Sequence, residues 1–223
     1  MKINIITIFP DFFKTTTSFS ILKRAQEKGL LEINIINLRD FAKDNYGTID
    51  GHPYGGGAGM LLMIEPVYAA LKSLQFPENV IVPSAKGKMW TQASASKSAS
   101  VDEMTFIVPH FEGIDQRVID KFVDHEICIG PYVLSGGELP TMTIIDSVVR
   151  LIPGVLGNSE SIVDESFSEA TSSGDAILEY PQYTKPSSFT TDDGEVLTVP
   201  DILLSGDHEK IQKWREEKKK ILS

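Results

Sequence analysis

The chain has 223 residues, 41% of them hydrophobic and 23% charged, which is ordinary globular composition for one or two domains. Twenty-one Lys and Arg face 31 Asp and Glu, a net charge of −10, which argues against a non-specific grip on nucleic acid driven by phosphate neutralisation. The single cysteine, Cys128, excludes an intrachain disulfide and a Cys-rich metal cluster, and no apolar run approaches the ~18 residues a membrane span needs.

In chain order, Ile3 to Phe9 reads as a buried strand stopped by Pro10. Met1-Lys2-Ile3 leads straight into it with no signal-peptide pattern, so a cytoplasmic protein is expected. Ser18 to Lys28 reads as a helix ended by Gly29, and Ile33 to Ile36 as a second strand. Pro53-Tyr54-Gly55-Gly56-Gly57-Ala58-Gly59-Met60 follows, then a helix opening near Pro66. Asn79 to Val82, Met104 to Val108 and Glu126 to Ile129 are further strands, with a helix over Ile114 to Val123. Cys128 sits in the last of these strands as a buried thiol. The second glycine-dense stretch, Ile129-Gly130-Pro131-Tyr132-Val133-Leu134-Ser135-Gly136-Gly137-Glu138-Leu139-Pro140, leads into a helix opened by Pro140. Its Ile145, Val148, Val149 and Ile152 form one core-facing stripe.

Strands alternating with helices predict an α/β fold on a mostly parallel sheet, whose ligands bind beyond the carboxyl ends of the strands. Both glycine clusters fall in loops that fit such a place, where positive φ or close backbone approach gives glycine its use. After Gly157 the composition shifts. Residues 158–176 read as a flexible linker, and residues 177–223 as a short second module with a helix from about Asp207 that packs through Ile211, Trp214 and Ile221. From Asp207 to Ser223 six Lys/Arg stand against four Asp/Glu, which suits a solvated helix face or a phosphate contact.

Several chemistries are disfavoured. Gly59 is followed by Met60-Leu61 and Gly137 by Glu138-Leu139, so neither cluster is a phosphate loop, and neither has the dinucleotide spacing. His52, His110, His125 and His208 have no partners at ligand spacing, so no structural metal is expected. Ser135 lacks the nucleophile-elbow pattern of serine hydrolases.

Taken together, Leu134 to Pro140, Pro53 to Met60, Phe111-Glu112-Gly113-Ile114-Asp115-Gln116-Arg117, Ile8-Phe9-Pro10, Ile152 to Gly157, Tyr183-Thr184-Lys185-Pro186 and Val199 to His208 resemble, in order, the bacterial tRNA (guanine-N1)-methyltransferase family. The resemblance implies a SPOUT-like knotted methyltransferase domain over residues 1–157, with a deep C-terminal trefoil knot, and a small helical tRNA-binding domain. It implies a homodimer with shared active sites. The implied reaction moves the methyl of S-adenosylmethionine to N1 of the guanosine just 3′ of the anticodon of tRNA.

By the same resemblance Ile129, Gly130, Pro131, Tyr132, Val133 and Leu134 form the adenosine-side wall, with Val82, Pro83 and Ser84 opposite and Pro109 and Phe111 beside them. Gly136 and Gly137 bring the backbone close, and Pro140 turns the chain into the helix behind. Glu112 lies by the methionine end, where an acid balances the cofactor's positive charges or helps hold a divalent ion such as Mg2+. Arg150 stabilises O6 of the guanine, although a cation there also suits the end of a helix dipole. The base is Glu165 or Asp164, just before Ser166-Phe167, with Glu165 in the family's register. Asp50, Tyr54 and Gly55 contact the tRNA or close the site, and Asn45 and Arg39 are weaker candidates.

The pattern also has departures. Val108-Pro109-His110 stands where the family has Cys-Gly-Arg, Pro131 where it has Asp, and Ser84-Ala85-Lys86-Gly87 where it has Ser-Pro-x-Gly. The linker is longer through Thr171 to Ala176, and the chain ends soon after Trp214, which implies a shortened terminal domain. A non-catalytic RNA-binding dimer, disabled at Pro109 and Glu165, is the alternative.

Overall fold

The computed structural model describes residues 1–156, 166–167 and 176–222, and the chain divides into two compact units, 1–157 and 158–223. The first unit is built on a five-stranded parallel sheet. Its strands are β1 (Lys2–Thr7), β2 (Glu32–Asn37), β5 (Val80–Met89), β6 (Glu103–Ile107) and β7 (His125–Cys128), in the order β2-β1-β6-β5-β7. Two short strands, β3 (Asp50–Gly51) and β4 (Leu61–Leu62), pair apart from it.

The period-2 alternation of β1 explains the layers. Ile3 and Ile5, both fully buried, belong to a cluster with Phe13, Leu22, Ala25 and Ile144. These come from α1 (Pro10–Thr16), α2 (Ser20–Glu27) and α6 (Glu138–Val149). Ile6 and Ile8 join the opposite cluster with Val67 and Leu71 of α3 (Ile64–Ser73) and Val118 of α5 (Gln116–Phe122). Both faces are covered, as a parallel sheet requires. A polar seam crosses the interior: the Asn4 amide donates to Glu103 Oε1 (2.7 Å) and Thr105 Oγ1 (3.0 Å), and Asn34 donates to Asn4 (3.2 Å). That satisfies a side chain with no solvent exposure.

The structure revises several sequence expectations. Strand β1 stops at Thr7, whose hydroxyl accepts from the Phe9 N–H, and Pro10 opens α1 instead of merely ending the strand. Helix α6 begins at Glu138, so Pro140 sits inside its first turn, where a missing N–H costs no helical bond. Pro66 holds the same place in α3. Strand β5 runs on to Met89. Its register with β7 slips between Pro83 and Lys88, so the strand bulges there and resumes. Ile152 falls beyond the end of α6 and packs part-buried against the first cluster.

The second unit contains α7 (Asp201–Leu204) and α8 (His208–Lys218), together with two antiparallel strand pairs. One joins β9 (Ser188–Thr190) to β10 (Val196–Thr198), the other β8 (Ala176–Leu178) to β11 (Lys220–Leu222). Asp207 caps α8 by accepting from the Lys210 N–H (3.2 Å). Ile221 lies in β11 opposite Ile177 and is 65% exposed, so it is a strand residue and not a helix contact.

Candidate active site

The bulge of β5 and the carboxyl ends of β6 and β7 open onto one cavity of about 300 Å3. Three stretches supply most of its lining: 82–86 at the bulge of β5, 109–114 after β6, and 126–130 with 132–137 at the end of β7 and in the loop beyond. The bulge has a local cause. A Cβ on Gly87 would stand 2.6 Å from the Glu126 carbonyl oxygen, so only glycine lets the two backbones pass. Beyond β7, the Cys128 thiol donates to the Gly130 carbonyl (3.1 Å) and the Tyr132 N–H donates to the same oxygen (2.9 Å), which folds the loop.

This cavity brings together Val82, Pro83 and Ser84; Pro109, Phe111 and Glu112; and Ile129, Gly130, Tyr132, Val133, Leu134, Gly136, Gly137 and Pro140. Pro131 is outside its lining. The walls combine apolar side chains with main chain. The N–H groups of Val133, Leu134, Ser135 and Gly136 donate to no backbone carbonyl of the described residues, which leaves them available to a ligand.

Pro109 has a definite structural role. Its carbonyl accepts from the Gly137 N–H (2.7 Å), and its ring packs against Gly137, where a Cβ would come within 2.8 Å of Pro109 Cγ and 3.0 Å of its nitrogen. The Gly136–Gly137 turn is thereby fastened to the exit of β6. His110 continues the support. Its Nδ1 lies 3.3 Å from Glu138 Oε1, and a Cβ on Gly136 would stand 2.6 Å from that same nitrogen.

Glu112 links the cavity to the first glycine loop. Its N–H donates to Met60 O (2.9 Å), Leu62 N–H donates to Gly113 O (2.9 Å), and a Cβ on Gly59 would lie 2.8 Å from the Glu112 carboxyl carbon. Asp50, on β3, and Tyr54 and Gly55, in the loop itself, do not line the cavity. Tyr54 is wholly exposed and Gly55 has φ of +86°. Nearby, Asp115 caps α5 and takes a forked pair of bonds from Arg117 (2.9 and 2.7 Å). Those bonds hold the Asp115 carboxyl below the usual range and raise Arg117.

Arg150 caps the opposite end of α6. Twelve residues at ~1.5 Å each put about 18 Å between it and the Gly137 turn. Glu165 and Asp164 lie outside the described residues. Among the described residues no group of three or more His, Cys, Asp or Glu is arranged to hold a metal ion, and no helix is long and apolar enough to cross a membrane. Sequence reasoning missed the pairing of His110 with Glu138, since the two are far apart in the chain and no spacing rule joins them.

The sequence profile described as tRNA (Guanine-1)-methyltransferase TrmD matches residues 1–222. A tRNA (guanine-N(1)-)-methyltransferase of Staphylococcus carnosus (strain TM300) is 47% identical over 223 residues, covering 99% of this chain and 86% of its own length. The enzyme of the same name from Dictyoglomus turgidum is 47% identical over 216 residues, covering 96% and 83%. That of Lactobacillus helveticus (strain DPC 4571) is 49% identical over 215 residues, covering 96% and 84%.

Proposed function

The chain belongs to the tRNA (guanine-1)-methyltransferase family, and on that premise we propose that it methylates N1 of the guanosine just 3′ of the anticodon in tRNA, with S-adenosylmethionine as donor. The observation that carries this reading is the cavity at the bulge of β5 and beyond β6 and β7, with apolar walls, the acids Glu112 and Glu126, and a row of unengaged backbone N–H groups. Such a lining fits the cofactor. Ile129, Leu134, Val82 and Pro83 suit a flat adenine, and the free N–H groups of 133–136 suit its ring nitrogens and the ribose. Glu112 suits the positive methionine end, or a Mg2+ ion beside it. When bound, S-adenosylmethionine supplies an electrophilic methyl on a sulfonium.

The remaining work belongs to the chain. The N1–H bond of guanine must break as the N1–methyl bond forms. Glu165, or Asp164 beside it, accepts that proton, and Arg150 donates a charge-assisted hydrogen bond to the negative charge gathering on O6. The separation of about 18 Å between Arg150 and the Gly137 turn supports a homodimer, in which one protomer's Arg150 and carboxylate complete its partner's cavity. We also assign to the family resemblance the trefoil knot, the tRNA-binding role of residues 177–223, the linker over 158–176 and a cytoplasmic location. Asp50, Tyr54 and Gly55 would meet the tRNA on the loop joined to Glu112. The relatives are named as methyltransferases, which lends nothing to a non-catalytic reading.

The test uses labelled S-adenosylmethionine and two tRNA transcripts that differ only in guanosine or adenosine 3′ of the anticodon. Label on the guanosine transcript alone is expected. Label on both, or on neither with a folded dimer, would overturn the assignment.

A further inference from the structure

Beneath the cofactor turn lies a pair of polar groups that the reaction itself does not use. Nδ1 of His110 and Oε1 of Glu138 are both buried, and neither has a hydrogen-bond partner. They face each other at 3.3 Å, without the alignment of a hydrogen bond. With both atoms shut off from solvent, each meets the other as its facing polar group. The Glu138 side chain is only 13% exposed, so its polar end has little water to turn to.

The imidazole cannot turn away easily. Phe9 and Phe111 set their rings edge-on to it, with centroids 4.9 and 5.0 Å away and planes 77° and 82° apart. Glu138 is equally constrained, being the first residue of α6. Among the described residues His110 forms no other ion pair, and Asp11 of α1 is the further carboxylate near Glu138, lining the same neighbouring cleft. Directly above the pair sits Gly136, whose Cα leaves no room for a side chain because Glu138 Oε2 and His110 Nδ1 occupy it. Both side chains thus fill the space directly against Gly136, in the backbone of the cavity wall.

We propose that His110, packed against Glu138, is a positioning residue that holds the Gly136–Gly137 turn where the cofactor binds. The inference rests on the cavity being the S-adenosylmethionine site. It separates two supports of one turn: the Pro109–Gly137 contact fixes it through backbone, and the His110–Glu138 pair fixes it through buried side chains.

A double-mutant cycle on the full chain tests this, with S-adenosylmethionine affinity read by calorimetry for wild type, His110→Gln, Glu138→Gln and the double variant. Each single change is expected to weaken binding about tenfold, and the double variant to be no weaker than either single. His110→Lys, which keeps a donor able to reach Glu138, is expected to bind within about threefold of wild type. A merely steric role for the ring would not be rescued by lysine. Thermal melting of each variant shows that it is folded. Losses that add in the double variant, or a His110→Gln protein that binds like wild type, would overturn the clamp. No heat with the folded wild-type protein would overturn the cofactor reading beneath it, an outcome distinct from additive losses.

Discussion

Gly137→Ala is the sharpest test of how the cavity is held. Gly137 has φ −85° and ψ −1°, an ordinary helical conformation, so alanine brings no backbone strain. In open surroundings the change would be neutral or stabilising by about 0.5–1 kcal/mol, because glycine loses more freedom on folding. Here the new methyl would stand 2.8 Å from Pro109 Cγ and 3.0 Å from Pro109 N. A proline ring cannot swing aside as a long side chain can, so the turn or the exit of β6 must shift. Overpacking of this kind costs about 1–3 kcal/mol. If the shift falls on the turn, S-adenosylmethionine binding weakens roughly 5- to 150-fold at about 1.4 kcal/mol per tenfold. Calorimetric titration reads the affinity, and a melting curve separates a displaced loop from a lost fold. Binding within about twofold of wild type, with an unchanged melt, would refute the argument that Pro109 and Gly137 fix the cavity wall.

Arg150→Ala and Glu165→Ala are each expected to slow methyl transfer by about 10²–10⁴-fold while leaving cofactor affinity near wild type, as single-turnover kinetics and calorimetry would show. Losses of affinity equal to the losses of rate would place these residues in the cofactor site instead. Mixing a Gly137→Ala protein with an Arg150→Ala protein, after subunit exchange, is expected to restore about a quarter of wild-type activity. Half the dimers would then be mixed, each with one intact site, and no recovery would argue against sharing. Hydrogen bonds from Lys2 and then Asn4 hold the Glu103 carboxyl below the usual glutamate range. A carboxyl with a lower folded-state value stabilises the fold above its unfolded value and loses that contribution as pH falls through the folded one. Urea unfolding should therefore show stability falling below about pH 4.3, and Glu103→Gln should flatten that fall. An unchanged slope in the variant would show that other carboxylates govern acid unfolding.

Periodic elements were legible in the sequence, and those whose punctuation misleads were not. The Ile-rich alternation of β1 and the stripe of α6 announce themselves because burial demands them. Pro10 reads as a stop, yet it opens α1, where its fixed φ suits the first turn. Helix α4 (Gln92–Ser98) escapes because it presents only Ala95 to the core and no apolar stripe. Strand β5 reads as ending at Val82, but it bulges and resumes beside β7, because Gly87 admits the neighbouring backbone. For the site, motif resemblance supplied the loops that meet at the cavity. It could not supply the support beneath them, since the contacts of Pro109 with Gly137 and of His110 with Glu138 join elements distant in the chain.

The acidic chain and its polyanionic substrate can be reconciled through the way its cations are used. On α8 and its flanks, Lys210 pairs with Asp207 (2.8 Å), Lys213 with Glu217 (3.9 Å) and Lys219 with Glu216 (3.1 Å). Arg215 lies over the Tyr180 ring at 5.0 Å. The locally positive tail thus satisfies much of its charge internally, and it behaves more as a solvated helix face than as a strip of phosphate contacts. Exposed pairs of this sort contribute little to stability and can be exchanged for phosphates only by giving up their carboxylates. If residues 177–223 meet the tRNA as proposed, recognition by such a surface depends on a few placed contacts and on fit at the reacting base, not on counterion release over a broad basic patch. That distinction has a measurable form, because each phosphate neutralised steepens the dependence of affinity on salt. A surface with its lysines already paired should bind weakly but with little sensitivity to salt, leaving discrimination to the cavity and the residues that close it.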